Sequence, residues 1–142
     1  MELLIVIAII LIIVTVAMPN LTRARSQASE TAAIGALRAI HEAQAQYYSA
    51  YHRYATTLAE LGPPGSGAAS PAAADFLKED LASGAKGGYK FVMQPTATGY
   101  AVNANPVTFG TSGRRTFYSD ESASIHQNFG QDPAGPGNPT LQ

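Results

Sequence analysis

The sequence predicts an α+β protein: one long N-terminal helix, apolar in its first half and amphipathic in its second, packed on a small antiparallel sheet of three to four strands. Three observations predict it. Leu3 to Met18 carries no charge, and its only hydroxyl is that of Thr15. Beyond Pro19, the apolar positions Ala33, Leu37, Ile40, Tyr47 and Tyr51 follow the three- and four-residue spacing of a helix with one buried face, interrupted by Gln44. From Gly88 the period changes to two, with Tyr89, Phe91 and Met93 alternating with Lys90, Val92 and Gln94.

The apolar run reads as a stalk. At ~1.5 Å per residue, Leu3 to Met18 spans roughly 24 Å, a few residues short of the ~30 Å hydrocarbon core of a bilayer. Glu2 stands where a cleavable signal peptide would be positive, and Arg23 and Arg25 follow the run instead of preceding it. A carboxylate at the end of a hydrocarbon-depth helix is costly unless a cation neutralises it, which makes Glu2 the first candidate functional residue. Pro19 removes one amide donor and crowds the carbonyl one turn back. A helix from about Met1 to Arg53, bent or locally unwound near Pro19, is therefore expected.

Arg38 and Glu42, one turn apart, are placed to pair on the solvent face of this helix. Thr57-Leu58-Ala59-Glu60 has the spacing of a capping box and opens a single turn that Gly62-Pro63 stops. Pro63 to Ala69 is a loop. Ser70 and Pro71 read as the N-cap and first residue of a short helix that ends near Gly84. Tyr100, Val102 and Ala104 continue the sheet across the Pro95–Gly99 turn. Arg115 to Ser119 supplies a third strand and Ser122 to Gln127 a short fourth, an antiparallel meander of the kind that packs one face on a helix. The tail from Asp132 to Gln142 holds three prolines and two glycines and shows no packing pattern.

Composition separates two parts. All seven tyrosines and five phenylalanines lie at or beyond Tyr47, so an aliphatic stalk precedes an aromatic head. The expected division is residues 1–25 as stalk, 26–131 as head and 132–142 as tail. Charged residues make up 13% of the chain, against ~25% in typical soluble proteins. A formal charge of −1 argues against a chain-wide polyanion-binding role, and with no cysteine there is neither a disulfide nor a thiol nucleophile.

Chemistry-bearing clusters are sparse. Tyr47, Tyr48, Tyr51 and Tyr54 read as packing rather than as an electron path. Arg114 and Arg115, with Lys86 and Lys90, form no basic run or stacking platform, so nucleic acid is not an expected partner. Asp120, Glu121 and Asp132 fit no calcium-loop spacing, and His41, His52 and His126 fit no metal-ligand spacing. No nucleophile triad or glycine-rich phosphate loop is apparent. The expectation is no catalytic residue, no metal site, no cofactor and no enzyme activity.

The segment Glu2-Leu-Leu-Ile-Val-Ile-Ala-Ile-Ile, followed by Ala17-Met18-Pro19-Asn20, closely resembles the N-terminus of the type IV pilin and pseudopilin superfamily. Mature members begin with an N-methylated aromatic residue and place a glutamate a few residues in. Their helix then runs through an apolar stretch to a proline–asparagine pair, and the distance from Glu2 to Pro19 matches that pattern without gaps. Two departures stand out. The aromatic start and the two residues after it are missing, so the mature N-terminus is expected a few residues ahead of Met1. Leu11 stands where members carry a glycine.

The resemblance implies a structural subunit of a type IV pilus-like extracellular filament, polymerising through its apolar helix. Its partners would be identical subunits in a helical homopolymer and a pilus or secretion assembly machinery. It would reside in the inner membrane before assembly and on the cell surface afterwards. The implied assembly residues are Glu2, Leu3, Ile7, Ile10 and Pro19, with the Glu2 carboxylate meeting the N-terminal amine of an adjacent subunit. Similar pilins lose helical structure just before the proline on assembly, and Leu11 in place of glycine shortens the expected unwound stretch to about Ile13–Pro19. Two alternatives differ in role: a pseudopilin of a type II secretion system, and a monomeric membrane-tethered protein that binds through its sheet face.

Overall fold

The computed structural model describes residues 1–141, and its first element, α1, is one unbroken helix, Glu2–Tyr51. Its 50 residues make a rod about 75 Å long. Of the two outcomes expected near Pro19, a bend or a local unwinding, the unwinding does not occur: the residues on both sides stay helical. Pro19 has no N–H for the Thr15 carbonyl. The Thr15 hydroxyl donates to the carbonyl of Ile12 at 2.8 Å, the Asn20 amide to that of Val16 at 3.5 Å, and the Thr22 hydroxyl to that of Met18 at 3.2 Å. These donors go to carbonyls other than that of Thr15 and add to the backbone ladder on both sides of the proline, and the helix carries through. It stops where His52 adopts a left-handed backbone (φ 55°) and donates its N–H to the Tyr48 carbonyl at 2.8 Å.

Helix α2, Leu58–Leu61, forms as the spacing predicts, with the Thr57 hydroxyl accepting from the Glu60 N–H at 3.4 Å. The Glu60 carboxylate reaches back one residue farther than a capping box requires, to the N–H and hydroxyl of Thr56 at 3.1 and 2.9 Å. Ser70 and Pro71 do not open a helix. Ser70 and Ala73 exchange N–H···O bonds of 3.0 Å, and the next amides cross to α2. Ala74 donates to Glu60, Asp75 to Gly62, and Phe76 and Leu77 both to Leu61, at 2.8–2.9 Å. Because those amides are committed sideways, none is free for an i to i−4 ladder, and the helix is reduced to α3, Glu79–Ala82.

The sheet is a five-stranded antiparallel meander in sequence order: β1 (Ala85–Lys86), β2 (Tyr89–Pro95), β3 (Tyr100–Pro106), β4 (Thr116–Asp120) and β5 (Ile125–Asn128). It has one strand more than expected. β1 pairs with β2 across Gly87 and Gly88, whose φ angles of 60° and 82° satisfy a hairpin turn that only glycine enters readily. The tail also departs from expectation. Gln127 donates to the Pro139 carbonyl at 2.9 Å and Leu141 to that of Ile125 at 2.7 Å, so the tail covers the outer edge of β5.

The core lies between the second half of α1 and one face of the sheet. Ala33, Leu37, Ile40 and Tyr47 pack with Tyr89, Phe91, Val102, Ala104 and Phe117. Tyr51 packs at the margin, its ring 4.8 Å from that of Tyr47. Gln44, which interrupts the stripe, is fully buried and closes on one backbone unit: its Oε1 accepts from the Ala55 N–H at 2.9 Å and its Nε2 donates to the Ala55 carbonyl at 3.0 Å. Arg38 and Glu42 are not among the ion pairs of the described residues.

His41 links α1 to β3 and β4. The Ser119 hydroxyl donates to the Ser124 carbonyl at 2.8 Å, so it accepts the Nε2–H of His41 at 2.7 Å. That leaves Nδ1 as the acceptor for the Tyr100 hydroxyl at 2.5 Å, which fixes a neutral tautomer. Burial holds the His41 pKa below its ordinary 6.5, with Asp120 opposing. The unfolded chain therefore binds a proton that the folded chain refuses, so stability is constant above about pH 6.5 and falls as pH drops below it. Melting of the full chain in neutral detergent, followed by near-ultraviolet tyrosine dichroism, is expected to show a falling Tm between pH 7 and 5. In His41→Gln that slope flattens.

Candidate functional site

The structure divides α1 at Ser26. Residues 2–25 are exposed throughout, and Ser26 and Glu30 are the first buried positions. The exposed part is long and apolar enough to cross a membrane, and none of its most apolar stretch is buried against the rest of the chain. A helix apolar on every side is stable only inside lipid or among other apolar helices. From Leu3 to Leu21 it measures about 27 Å along its axis, close to the thickness of a bilayer's hydrocarbon.

The sequence-derived assembly residues are spread along this rod. Glu2 is at its tip and Pro19 about 25 Å away, so no contact joins them within one chain. Leu3, Ile7 and Ile10 are 76%, 46% and 52% exposed and follow the i, i+4, i+7 spacing of one helical face. Val14, Ala17 and Leu21 continue that face. Beside Pro19, Ala17 and Ala24 leave an apolar hollow between Val14, Met18 and Leu21, a surface into which the ridge of another helix can pack.

Just beyond the stalk, one buried carboxylate clamps α1 to the head. Glu30 Oε2 accepts from both Nε and Nη2 of Arg115 at 2.8 Å, and Oε1 accepts the Arg114 N–H at 2.8 Å. Nη1 of Arg115 reaches Gln127 Oε1 at 2.8 Å, and the guanidinium lies 5.4 Å from the Phe117 ring and 5.7 Å from that of Phe129. The clamp joins α1, β4 and β5 at the base of the head. Beside it is an open cavity of about 420 Å³ lined by Arg23, Gln27, Glu30, Arg114, Arg115 and Phe129. Sequence reading missed Glu30, although Ser26 and Glu30 extend the Ala33-Leu37-Ile40 stripe one turn at a time. A carboxylate on a buried stripe signals a cationic partner, but nothing in the spacing identifies Arg115.

Several of the remaining chemistry-bearing residues have local partners. Lys86 pairs with Asp80 at 3.0 Å on the surface. Asp120 accepts from the N–H and hydroxyl of Ser122 at 3.0 and 2.6 Å, and Glu121 accepts from Thr98. His126 Nδ1 donates to the Asn138 carbonyl at 2.6 Å. The rings of Tyr48 and Tyr54 are 4.8 Å apart and those of Tyr54 and Tyr100 5.2 Å apart, a packed corner above the sheet. Among the described residues, no group of three or more histidines and carboxylates converges as a metal site would.

A long apolar N-terminal helix packed on an antiparallel sheet is an architecture consistent with a pilin-like fold. No protein-family model, curated protein or solved structure matches the chain.

Truncating one side of the clamp leaves a buried, uncompensated carboxylate. Arg115→Ala is expected to lower head stability by about 3 kcal/mol in urea titrations. Adding Glu30→Gln to Arg115→Ala should recover part of that loss, because the charge is then gone. An unchanged urea midpoint in Arg115→Ala would show that the clamp contributes nothing.

Proposed function

We propose that this chain is the structural subunit of a type IV pilus-like extracellular filament, held in the membrane by its stalk and polymerising through it. The observation that carries the reading is an arm of α1 with no packing partner in its own chain, apolar on every face, with a single carboxylate at its tip. Lipid and a bundle of neighbouring stalks are equivalent surroundings for Leu3, Ile7, Ile10 and Val14, so transfer from one to the other costs little. The Glu2 carboxylate is different. In a dry bundle it needs a cation at one height, and the N-terminal amine of an adjacent subunit supplies one. That pairing sets the axial register of each added subunit, because a stalk docked one turn out of place leaves the carboxylate unpaired.

The head completes the design. Clamped to α1 by Glu30 and Arg115, it moves with the stalk as one body and forms the outer layer of the filament. The chain's role in this reading is structural, with identical subunits as its principal partners. The resemblance of the Glu2–Asn20 segment to pilins points the same way.

Glu2→Ala and Glu2→Gln are expected to reduce the yield of sheared surface filaments by about tenfold or more, the equivalent of at least ~1.4 kcal/mol of lost register selection. Tyrosine dichroism of the head should not change. Full-length filaments at normal yield from the Glu2→Ala strain would contradict the register argument.

A second expectation concerns Ile13–Pro19. This stretch is helical in the single chain. Close packing of neighbouring stalks offers its β-branched side chains and freed carbonyls other partners, so it should be extended in a fibre map. Continuous helical density from Leu11 through Arg23 in the assembled fibre would contradict this.

A further inference from the structure

We propose that the cavity at the base of the head is a binding site for the phosphate of an anionic membrane lipid, occupied while the stalk lies in the bilayer. The proposal rests on the membrane-stored half of the functional reading and is independent of polymerisation.

Position is the first argument. Leu21, 51% exposed, is the last large apolar side chain of the stalk before the charged residues begin. Arg23 and Gln27 stand about 3 and 9 Å farther along the helix axis. The headgroup layer of one leaflet is about 5–7 Å thick, so with Leu21 at the hydrocarbon edge these two residues bracket it. Arg23 and Gln27 both line the cavity, which therefore lies at headgroup depth.

Charge is the second. Three arginines, Arg23, Arg114 and Arg115, line the cavity against one acidic residue, Glu30. Arg115 is held in place by Glu30 and Gln127, so it contributes a fixed group, whereas Glu30 is saturated by the Arg115 side chain and the Arg114 N–H. Arg23 and Arg114 are exposed and belong to none of the ion pairs among the described residues. Arginines at one opening suit a phosphate, because each guanidinium offers paired N–H donors. The cavity's volume of about 420 Å³ falls within the ~300–1,000 Å³ range of small-molecule sites.

The third argument separates a lipid from free phosphate. Phe129, 73% exposed, stands at the rim, directly over the Arg115 guanidinium. It brings apolar surface next to the cationic opening. Free phosphate gains nothing from such a rim, whereas an amphiphile lays its glycerol and upper acyl carbons against it while its phosphate meets the arginines. Aromatic and basic side chains at the water boundary of a membrane helix are placed in the same way.

The chain contains no tryptophan, so Phe129→Trp places a single fluorophore at the rim. The test uses this full-length variant in phosphocholine bicelles titrated with phosphatidylglycerol. The emission should shift to the blue and saturate near one phosphatidylglycerol per chain, while an equal addition of phosphatidylcholine leaves it unchanged. Adding Arg23→Gln and Arg114→Gln, both at exposed positions, should weaken the response by about tenfold. Tyrosine dichroism confirms that the head stays folded. Equal responses to the two lipids, or an undiminished response in the arginine variant, would overturn the proposal. So would saturation by inorganic phosphate alone at millimolar concentration, which would make this a free-anion site. A chain that binds phosphatidylglycerol but never polymerises would support the site and refute the filament reading, and filaments from a chain indifferent to the lipid would do the reverse.

Discussion

Half of one helix has nothing of its own chain to lie against, and the rest of the molecule depends on that constraint. Residues 2–25 of α1 are exposed along their whole length. Each large aliphatic side chain left in water forfeits about 1.5–3 kcal/mol relative to burial. No contact in the head offsets a row of them. The stalk must therefore be covered by lipid or by other stalks, and a subunit that uses the two in turn can be stored in one and assembled through the other. In the proposed filament, the apolarity of Leu3 to Met18 would make that exchange inexpensive, and Glu2 would make it selective.

The head transmits this constraint through polar groups placed on the buried face of α1. Glu30 fixes the start of β4 to the helix, His41 ties β3 and β4 to it, and Gln44 closes the chain where it turns back after His52. Each is about three turns or less from the next, so the helix is gripped at several heights instead of resting on an apolar layer that slides. The grip nearest the stalk is charged, and Arg23, Arg114 and Arg115 gather there with Phe129.

Much of this was legible in the sequence, and the failures share a cause. The stalk, the apolar stripe and the three longer strands follow from periodicity, because one buried face imposes a repeat of 3.6 or two. Thr57 and Glu60 announce α2 by local spacing. Ser70 and Pro71 carry the local signature of a helix start, but amides 74–77 bond to α2 carbonyls, and tertiary partners outweigh a cap. The two-residue β1 is too short to show a period. The tail's pairing with β5 depends on backbone groups that every sequence has. At Pro19 one amide bond is missing, but the backbone ladder on either side holds and the helix continues. For the site, the apolar helix was visible, while Glu30, Arg115 and the cavity beside them required the fold, since Glu30 and Arg115 are brought together only when β4 crosses the base of α1.

The central claim is that the exposed half of α1 is covered by copies of itself. Cells producing the chain, sheared to release surface material, provide the direct measurement: electron cryomicroscopy of that material, with the protein identified by mass spectrometry. The account predicts filaments of this chain with a core of closely packed stalks formed by residues 2–25, helical outside the Ile13–Pro19 stretch, and the sheets on the outside. Surface material without filaments, with the chain remaining as a monomer in the membrane fraction, would contradict it.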